Sequence, residues 1–272
     1  MRAVMDHYLS ICAIYRNEAP YLREWIEFHR LVGVERFYLY NHSSEDEHRE
    51  VLAPYVDAGT VVVQDWPVFP GQIQAYEDCL KRRRDESRWI AFIDLDEFLF
   101  SPVGSTVPDI LREFERFPGL AVNWAMFGSS GHETKPPGLV IENYLWRTAN
   151  ERLNSIIKSI ANPRRVSAFG TPHYFMYRHG VTVDALERPM YKAPLWRTES
   201  PSLDRIRINH YMVKSAEEFR RKLERGHADG ARPKPKEALT RWVKRYNDVE
   251  DRTILMYLPQ LREALDRVGA AT

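Results

Sequence analysis

The sequence is poor in cysteine, in net charge and in long apolar runs. Two cysteines, Cys12 and Cys79, occur among 272 residues, which argues against a disulfide framework and fits a reducing compartment. The formal net charge of +1 provides no global field to attract nucleic acid or a membrane surface. No stretch approaches the roughly 18 apolar residues of a membrane-spanning helix. These shortages leave an ordinary globular protein with one large domain, or one domain and an appendage.

The N-terminal segment also lacks the pattern of a secretory signal. Charged residues interrupt its apolar run, whereas a signal peptide has a continuous apolar stretch. We therefore expect a cytoplasmic protein whose membrane contact would be peripheral, on the inner membrane of a bacterium. The sequence also has no internal repeat and no low-complexity tract.

What the sequence does contain is a regular alternation in its first hundred residues. Apolar segments alternate with segments whose apolar residues recur at helical spacing. Strands are predicted over 8–15, 35–41, 60–66 and 89–98, and helices over 18–33, 47–59 and 71–87. This order predicts a doubly wound α/β fold with a mainly parallel sheet and helices on both faces. Ligands of such sheets bind beyond the carboxyl ends of the strands.

The second half of the sequence is less regular. A helix over 108–117 and a strand over 119–128 are predicted, then mixed strands and loops, while 139–147 fits either type. Helices are predicted over 214–226, 235–246 and 250–268, the last interrupted near Pro259. This C-terminal region has more Lys and Arg than Asp and Glu. It is either a solvated helical face or a basic surface for anionic lipid heads.

Three acids, Asp94, Asp96 and Glu97, follow the apolar segment Trp89–Ile93. In a strand, residues i and i+2 point to the same side, so Asp94 and Asp96 are expected to converge, with Leu95 in the core. Two convergent carboxylates repel each other unless a cation lies between them. Their hard oxygen ligands suit Mg²⁺ or Mn²⁺, which can neutralise a departing diphosphate. The alternative is a pair of solvated acids at a strand end.

Six sequence blocks, in unchanged order over roughly 8–220, resemble the glycosyltransferases of the GT-A fold. The resemblance is close to family 2 and closer to family 92 and its bacterial relatives. The blocks are ICAIYRNEAPYLREWIEFHRLVGVERFYLYNHSSED, GQIQAYEDCL, WIAFIDLDEFLF, WAMFGSSGH, KSIANPRRV and INHYMVKSAEEF. The resemblance implies a nucleotide-sugar donor, a divalent metal and inversion at the anomeric carbon. It also implies a GT-A domain over 1–225, with a donor half to about 102 and an acceptor half after it, and a helical extension over 226–272.

The resemblance implies three metal-site residues. Asp96 would be the main ligand of Mn²⁺ or Mg²⁺, with Asp94 near the ribose or the metal. His210, in the block INHY, matches the late histidine ligand of many GT-A enzymes, and its nitrogen would favour Mn²⁺. The alternative for His210 is a hydrogen-bonded histidine on a strand.

Loops after the first two strands carry the implied nucleotide contacts. Arg16 and Glu18 follow the first strand, where the family holds the nucleoside, although Glu18 also suits the first turn of a helix. Asn41 and Asp46 follow the second strand and can hydrogen-bond the base or ribose, although the sequence SSED is also a helix start.

Two further residues complete the implied donor site. Gln74 lies on the helix that flanks the base in the family, where a surface glutamine is the alternative. Lys158 would place a cation near the diphosphate and clamp the leaving group. Outside the family such a lysine is ordinarily solvated.

The general base that accepts the acceptor's proton is not fixed by the sequence. Carboxylates usually serve as this base. His132 and Glu133, in the loop GSSGHE, and Asp184, in GVTVD, are the candidates, and sequence order does not choose among them. Each is otherwise an exposed polar loop residue.

The sequence therefore predicts a metal-dependent inverting glycosyltransferase that moves a sugar, from UDP by family habit, to a glycan or lipid-linked glycan. One alternative is a phosphatase of the haloacid dehalogenase type with Asp94 as nucleophile. Those enzymes carry Thr or Val two residues after the second Asp, where this chain has Phe98, and place the motif on the first strand. A nucleotidyltransferase would need a Gly-rich phosphate loop after the first strand, which is missing. The other alternative is a non-catalytic nucleotide-sugar or glycan binder.

Overall fold

A computed structural model of the chain describes residues 5–191, 194–225 and 245–270. The helices in these ranges are α1 (Ala19–Leu31), α2 (His48–Asp57), α3 (Gln72–Arg83), α4 (Val107–Glu113), α5 (Val140–Asn143), α6 (Glu151–Asn154), α7 (Ala216–Arg225) and α8 (Leu258–Ala270). The strands are β1 (His7–Tyr15), β2 (Arg36–Asn41), β3 (Val61–Asp65), β4 (Ser87–Phe92), β5 (Glu97–Phe100), β6 (Gly119–Met126), β7 (Trp146–Arg147), β8 (Ile157–Ala161), β9 (Val166–Thr171), β10 (Tyr174–Tyr177), β11 (Val183–Asp184), β12 (Arg207–His210) and β13 (Val249–Glu250).

One sheet of nine strands organises the described residues. Its order is β3-β2-β1-β4-β8-β6-β12-β5, and β11 pairs with β6. The first four strands are mutually parallel, as the alternation predicted. Strand β8 is antiparallel to β4 and β6, and β5 is antiparallel to β12. The predicted α/β class, with a mainly parallel first half and a mixed second half, is confirmed.

Both faces of the sheet are covered by apolar cores. Leu9 and Ile11 of β1 point into the larger core, which α1, α2 and α4 cover. Cys12 and Ile14 point into the smaller core, which lies under α3 and the β9–β10 hairpin. Burial of one large aliphatic side chain contributes about 1.5–3 kcal/mol, so this two-sided burial explains why β1 has no polar face.

The described part of the predicted C-terminal extension packs against the larger core, and the domain boundary at 225/226 stays a prediction. Tyr246, Ile254 and Leu261 are buried in the larger core. The helix predicted over 250–268 is interrupted near Pro259 as expected, because a 3₁₀ helix over Thr253–Tyr257 gives way to α8 at Leu258, with the proline in the first turn of α8. Most of the helix predicted over 235–246 lies outside the described residues.

The segment predicted as one strand over 89–98 is two strands. Strand β4 ends at Phe92, and β5 begins at Glu97 and pairs with β12 at the far edge of the sheet. The chain turns between them because β8, β6 and β12 lie between β4 and β5. Strand alternation therefore does not orient Asp94 and Asp96, although Leu95 is buried in the core as expected.

Other element boundaries differ by a few residues. The helix predicted over 108–117 ends at Glu113, and the ambiguous segment 139–147 contains both the short helix α5 and the strand β7. Within the described ranges, no helix is long and apolar enough to cross a membrane.

A buried neutral histidine makes the fold sensitive to acid. The Nε2 atom of His29 accepts a hydrogen bond from the Leu99 N–H (3.1 Å), and its Nδ1 atom donates to the Trp25 carbonyl (2.8 Å). Burial lowers the pKa of His29 to about 3, whereas an unfolded histidine titrates near 6.5. Protonation therefore favours the unfolded chain between these two pH values.

We expect His29 to remove about 1.4 kcal/mol of stability per pH unit as the pH falls from about 6.5 towards 3. Urea unfolding at several pH values gives the free energy of unfolding as a function of pH, for the wild type and for His29→Gln. The difference between the slopes of these two curves measures the contribution of His29. The matched control is His179→Gln, since His179 is exposed. Equal slopes in the wild type and His29→Gln would show that His29 is not neutral in the folded chain.

Candidate active site

The turn between β4 and β5 places both aspartates at the carboxyl end of the sheet. The Asp94 N–H donates to Glu97 Oε2 (3.0 Å), the Glu97 N–H donates to the Asp94 carbonyl (3.1 Å), and Trp25 Nε1 donates to the Glu97 carbonyl (2.8 Å). Glu97 is fully buried, and burial raises the pKa of its carboxyl well above the ordinary value. The third acid of the motif thus fixes the turn that carries the other two.

Asp94 is surrounded by hydrogen-bond donors. Its Oδ2 atom lies 2.8 Å from Lys158 Nζ, and its Oδ1 atom accepts from Gln72 Nε2 (2.8 Å) and Tyr76 OH (3.3 Å). Burial opposes ionisation of this carboxyl, but the Lys158 ammonium outweighs burial and holds the pKa of Asp94 below its ordinary value. Lys158 is itself almost fully buried, so this is a paired charge inside the protein.

Asp96 faces a different pair of groups. Its Oδ1 atom lies 3.6 Å from His210 Nε2, and its Oδ2 atom is ion-paired with Lys222 of α7. Burial opposes ionisation here too, but Lys222 and His210 hold the pKa of Asp96 well below its ordinary value. Burial lowers the pKa of His210, whose ring packs on Trp124 at 4.2 Å between centroids. A neutral imidazole and an ionised carboxylate therefore face each other.

A pocket of about 260 Å³ opens beside Asp96. It lies between the β1–α1 loop, the β12–α7 loop and α7. Two of its lining residues, Asn17 and Lys214, have left-handed backbones with φ of 52° each. Such conformations cost about 1–3 kcal/mol each and cluster at binding sites. The Lys214 ammonium lies 3.9 Å from Glu18 Oε2 and 3.4 Å from the centre of the Tyr21 ring. This ammonium adds positive charge to the pocket.

Helix α7 is held firmly at its N-terminus. Ser215 and Glu218 exchange hydrogen bonds in a capping box, with Ser215 N–H donating to Glu218 (3.1 Å) and Glu218 N–H donating to Ser215 Oγ (3.2 Å). The carbonyls of His132 and Glu133 accept the next two backbone N–H groups, those of residues 216 and 217, at 3.1 and 2.9 Å. These contacts fix the helix that carries Lys222 over Asp96.

The predicted nucleotide-contact residues lie on neighbouring loops at the same edge of the sheet. Asn41 donates to Asp65 (2.9 Å) and accepts from the Ser44 N–H, and Asp46 accepts from the Ala19 N–H at the start of α1 (2.8 Å). Glu18 lines the pocket. Burial lowers the pKa of His42, and the charge of Arg16 adds to this. The structure shows these local contacts, and nucleotide binding by the four residues stays a prediction.

Helix α3 presents a different glutamine from the one predicted. Gln74 is exposed, whereas Gln72 and Tyr76 hydrogen-bond to Asp94. Gln72 and Tyr76 are four residues apart and share one helix face, while Gln74 lies on another. The helix was identified correctly, and contact between Gln74 and a nucleotide base stays a prediction.

The three predicted bases lie in different settings. The buried Asp184 carboxylate accepts from the backbone N–H groups of Leu186 and Arg188, both at 2.9 Å, and from the Arg188 guanidinium at 2.6 Å. Asp184 pairs with position 121 of β6, and His210 with position 126. At about 3.3 Å per residue, the structure separates them by about 17 Å along that strand.

His132 and Glu133 remain near the pocket, because their loop contacts the start of α7. His132 is half-buried, with its Nε2 atom 3.2 Å from the Asn143 carbonyl, whereas Glu133 is exposed. Glu133 therefore places an exposed carboxylate in the loop that contacts α7.

The sequence analysis gave no role to five side chains of the site: Gln72, Tyr76, Glu97, Lys214 and Lys222. Gln72 and Tyr76 had a weak signal, their spacing of four residues on a predicted helix. Lys222 had none, since it is one of several basic residues on a charged helix far along the chain. Only the packing of α7 against the β4–β5 turn identifies it.

Asp96 and His210 are the side chains of this site that could hold a divalent metal. The described ranges contain no group of three or more His, Cys, Asp or Glu side chains arranged around one metal position. Asp96 and His210 nevertheless supply one oxygen and one neutral nitrogen that face each other, a set that suits Mn²⁺. Phosphate oxygens and water commonly fill the remaining positions of such ions. The residues therefore fit a metal that binds together with a diphosphate.

A sequence profile, that of glycosyltransferase family 92, matches residues 6–234. The chain belongs to this family. It is 33% identical over 201 residues to a glycosyltransferase family 92 protein of Oryza sativa subsp. japonica, covering 70% of this chain and 34% of that one. It is 27% identical over 268 residues to a family 92 protein of Arabidopsis thaliana, covering 91% and 45%. The chain thus spans a third to a half of these relatives.

Two further similarities concern a narrower part of the chain. Galactan β-1,4-galactosyltransferase GALS3 of Arabidopsis thaliana is 33% identical over 123 residues, covering 41% of this family 92 chain and 24% of that one. The solved structure of TarS of S. aureus in complex with UDP-GlcNAc superposes with a TM-score of 0.40 and 14% identity, covering 57% and 45%.

Family 92 membership confirms the resemblance drawn from the six sequence blocks. It also removes the support for the phosphatase alternative, as does the place of the motif after the fourth strand rather than the first. The relatives named here come from plants, so the bacterial setting stays a prediction.

Proposed function

We propose that the chain is a metal-dependent glycosyltransferase that transfers galactose from UDP-galactose to a galactose-ended glycan. The observation that carries the proposal is the meeting of Asp94, Asp96 and His210, with two lysines, at the carboxyl edge of the sheet. The galactan β-1,4-galactosyltransferase relatives support the choice of sugar. Because UDP-galactose is an α-glycoside, a β-1,4 product requires inversion at the anomeric carbon.

Each residue of the site has a distinct task in this proposal. Asp96 and His210 would hold a divalent ion, which when bound would offset negative charge on the leaving diphosphate. Asp94, held by Lys158, presents an ionised carboxylate that can accept hydrogen bonds from donor hydroxyls. Lys214 adds positive charge to the pocket that would take the diphosphate.

An inverting transfer also needs a base that removes the acceptor's proton, and we propose Glu133. We expect Glu133→Gln to lower kcat by about 10²–10⁴-fold, while the Kd for UDP with Mn²⁺ stays within about twofold. Initial rates at saturating donor and calorimetric UDP binding measure the two effects. Asp184→Asn is the comparison, and its main effect should be on stability because Asp184 holds a buried turn. Unchanged kcat in Glu133→Gln would exclude this base.

The proposed reaction is tested directly by incubating the protein with UDP-galactose, Mn²⁺ and a β-1,4-linked galactose oligosaccharide. Mass spectrometry should show extension by one hexose, and the proton coupling of the new anomeric centre should report a β linkage. Parallel reactions with UDP-glucose and GDP-mannose test the donor. An α-linked product would refute inversion, and extension without divalent metal would refute metal dependence.

The non-catalytic binder on the same fold is the second candidate, because none of the three predicted bases is among the residues that line the pocket beside Asp96. Thermal unfolding with UDP, GDP, CDP and dTDP, each with and without Mn²⁺, separates the two. A nucleotide-dependent shift without turnover of any donor would favour the binder.

A further inference from the structure

The ion pair between Lys222 and Asp96 occupies the position where the proposed metal would bind. The Lys222 ammonium contacts Asp96 Oδ2, the carboxylate whose other oxygen faces His210. Its second hydrogen bond, to the Met212 carbonyl, is long at 3.4 Å. A lysine ammonium and a divalent cation compete for the same carboxylate lone pairs, so both cannot fully engage Asp96 at once.

The charges of the cluster are already balanced without a metal. Lys158 neutralises Asp94 and Lys222 neutralises Asp96. A bare divalent cation would therefore add positive charge beside two carboxylates that already have ammonium partners, and beside Lys214, which is unfavourable. A metal that arrives with a diphosphate brings the compensating negative charge.

Lys222 has more room to move than Lys158, the lysine that pairs with Asp94. Its side chain is 24% exposed, against 2% for Lys158, and it lines the pocket that opens beside Asp96. Lys222 lies four residues, about one helical turn, beyond Glu218 of the capping box, so its four-carbon side chain can turn into the pocket while the helix start stays fixed.

We propose that Lys222 is a displaceable counter-ion of Asp96. With no donor bound, its ammonium neutralises Asp96 and weakens binding of a bare divalent cation. When the metal and the nucleoside diphosphate bind together, Lys222 leaves Asp96 and pairs with the diphosphate. The proposal rests on the metal-dependent function proposed above. Displacement of Lys222 makes metal binding strengthen nucleotide binding, and nucleotide binding strengthen metal binding.

The test measures the affinity of the protein for Mn²⁺ rather than its activity. The loss of the free Mn²⁺ signal in electron paramagnetic resonance reports binding, first without UDP and then with it. If Lys222 occupies Asp96 in about nine molecules of ten, its removal tightens Mn²⁺ binding about tenfold. We expect this gain in Lys222→Gln and in Lys222→Met without UDP. We also expect UDP to tighten Mn²⁺ binding less in both variants than in the wild type.

The matched control is Arg220→Gln, which removes the same charge from an exposed position of α7 outside the pocket. It should leave Mn²⁺ affinity within about twofold, a shift expected from a screened surface charge. Mn²⁺ affinity that is equal or weaker in both Lys222 variants would overturn the counter-ion role and leave the proposed function standing. If no folded variant binds Mn²⁺ with or without UDP, the metal-dependent function fails, and the counter-ion role fails with it.

Discussion

Replacing Asp96 by Asn is expected to lower galactosyl transfer by on the order of a thousandfold or more. The amide keeps the shape of the side chain but loses the charge that would hold the metal opposite His210. Mn²⁺-dependent binding of UDP should fall with it, because the two are proposed to bind together. Initial rates with UDP-galactose and calorimetric titration of UDP in the presence of Mn²⁺ measure both losses.

The control for this variant is Asp85→Asn, which removes one carboxylate at the opposite, amino end of the sheet. Asp85 is exposed and pairs with Arg164, so its loss should leave rate and binding nearly unchanged. Wild-type UDP affinity in the presence of Mn²⁺ for Asp96→Asn would show that Asp96 is not the metal ligand.

The second large effect is expected on stability, in Asp251→Asn. Asp251 accepts two hydrogen bonds from the buried Arg207 guanidinium (3.0 and 2.8 Å) and one from Arg147 Nε (2.7 Å). Without the carboxylate, Arg207 is a buried charge with no counter-ion, a change that costs about 3–5 kcal/mol. Chemical unfolding followed by tryptophan fluorescence measures the loss.

Glu250→Gln provides the comparison, since its exposed pair with Arg252 contributes about 0–1 kcal/mol. Burial opposes ionisation of Asp251, but Arg207 outweighs burial and lowers its pKa. The contribution of Asp251 is therefore present above the unfolded pKa of about 3.9 and lost as the pH falls through the folded value. Equal free energies of unfolding for Asp251→Asn and Glu250→Gln at neutral pH would refute the stabilising role of the Asp251–Arg207 pair.

The first half of the fold was predictable because its signals are local. Strands β1 to β4 are mostly apolar, and the helices between them have apolar residues at helical spacing. The break at Ile93–Asp96 was not predictable, because it depends on β5 pairing with β12, more than 100 residues later. Local sequence describes an apolar run but does not show which distant strand completes it.

At the candidate site, too, local sequence signals identified some residues, and contacts between distant segments determined the rest. Asp94, Asp96 and His210 came from one motif and a family resemblance, and the structure places them together. Gln72 could not be distinguished from Gln74, because helix register toward the sheet depends on tertiary packing. Lys222 depends on how a charged helix packs over a turn at the other end of the sequence. Asp184 had a suitable residue type, but the structure uses it to hold a turn.

The placement of β5 has a consequence for synthesis of the protein. Strands β1 to β4 lie early in the sequence, as do Gln72 and Tyr76, which bond to Asp94. The lysines and the histidine beside Asp94 and Asp96 come later, at residues 158, 210 and 222. A nascent chain that has emerged as far as β5 can pair its four parallel strands, yet Asp94 and Asp96 have neither Lys158, Lys222 nor His210 beside them. The site proposed for the metal and the diphosphate is therefore completed late, when α7 leaves the ribosome and Lys222 reaches Asp96.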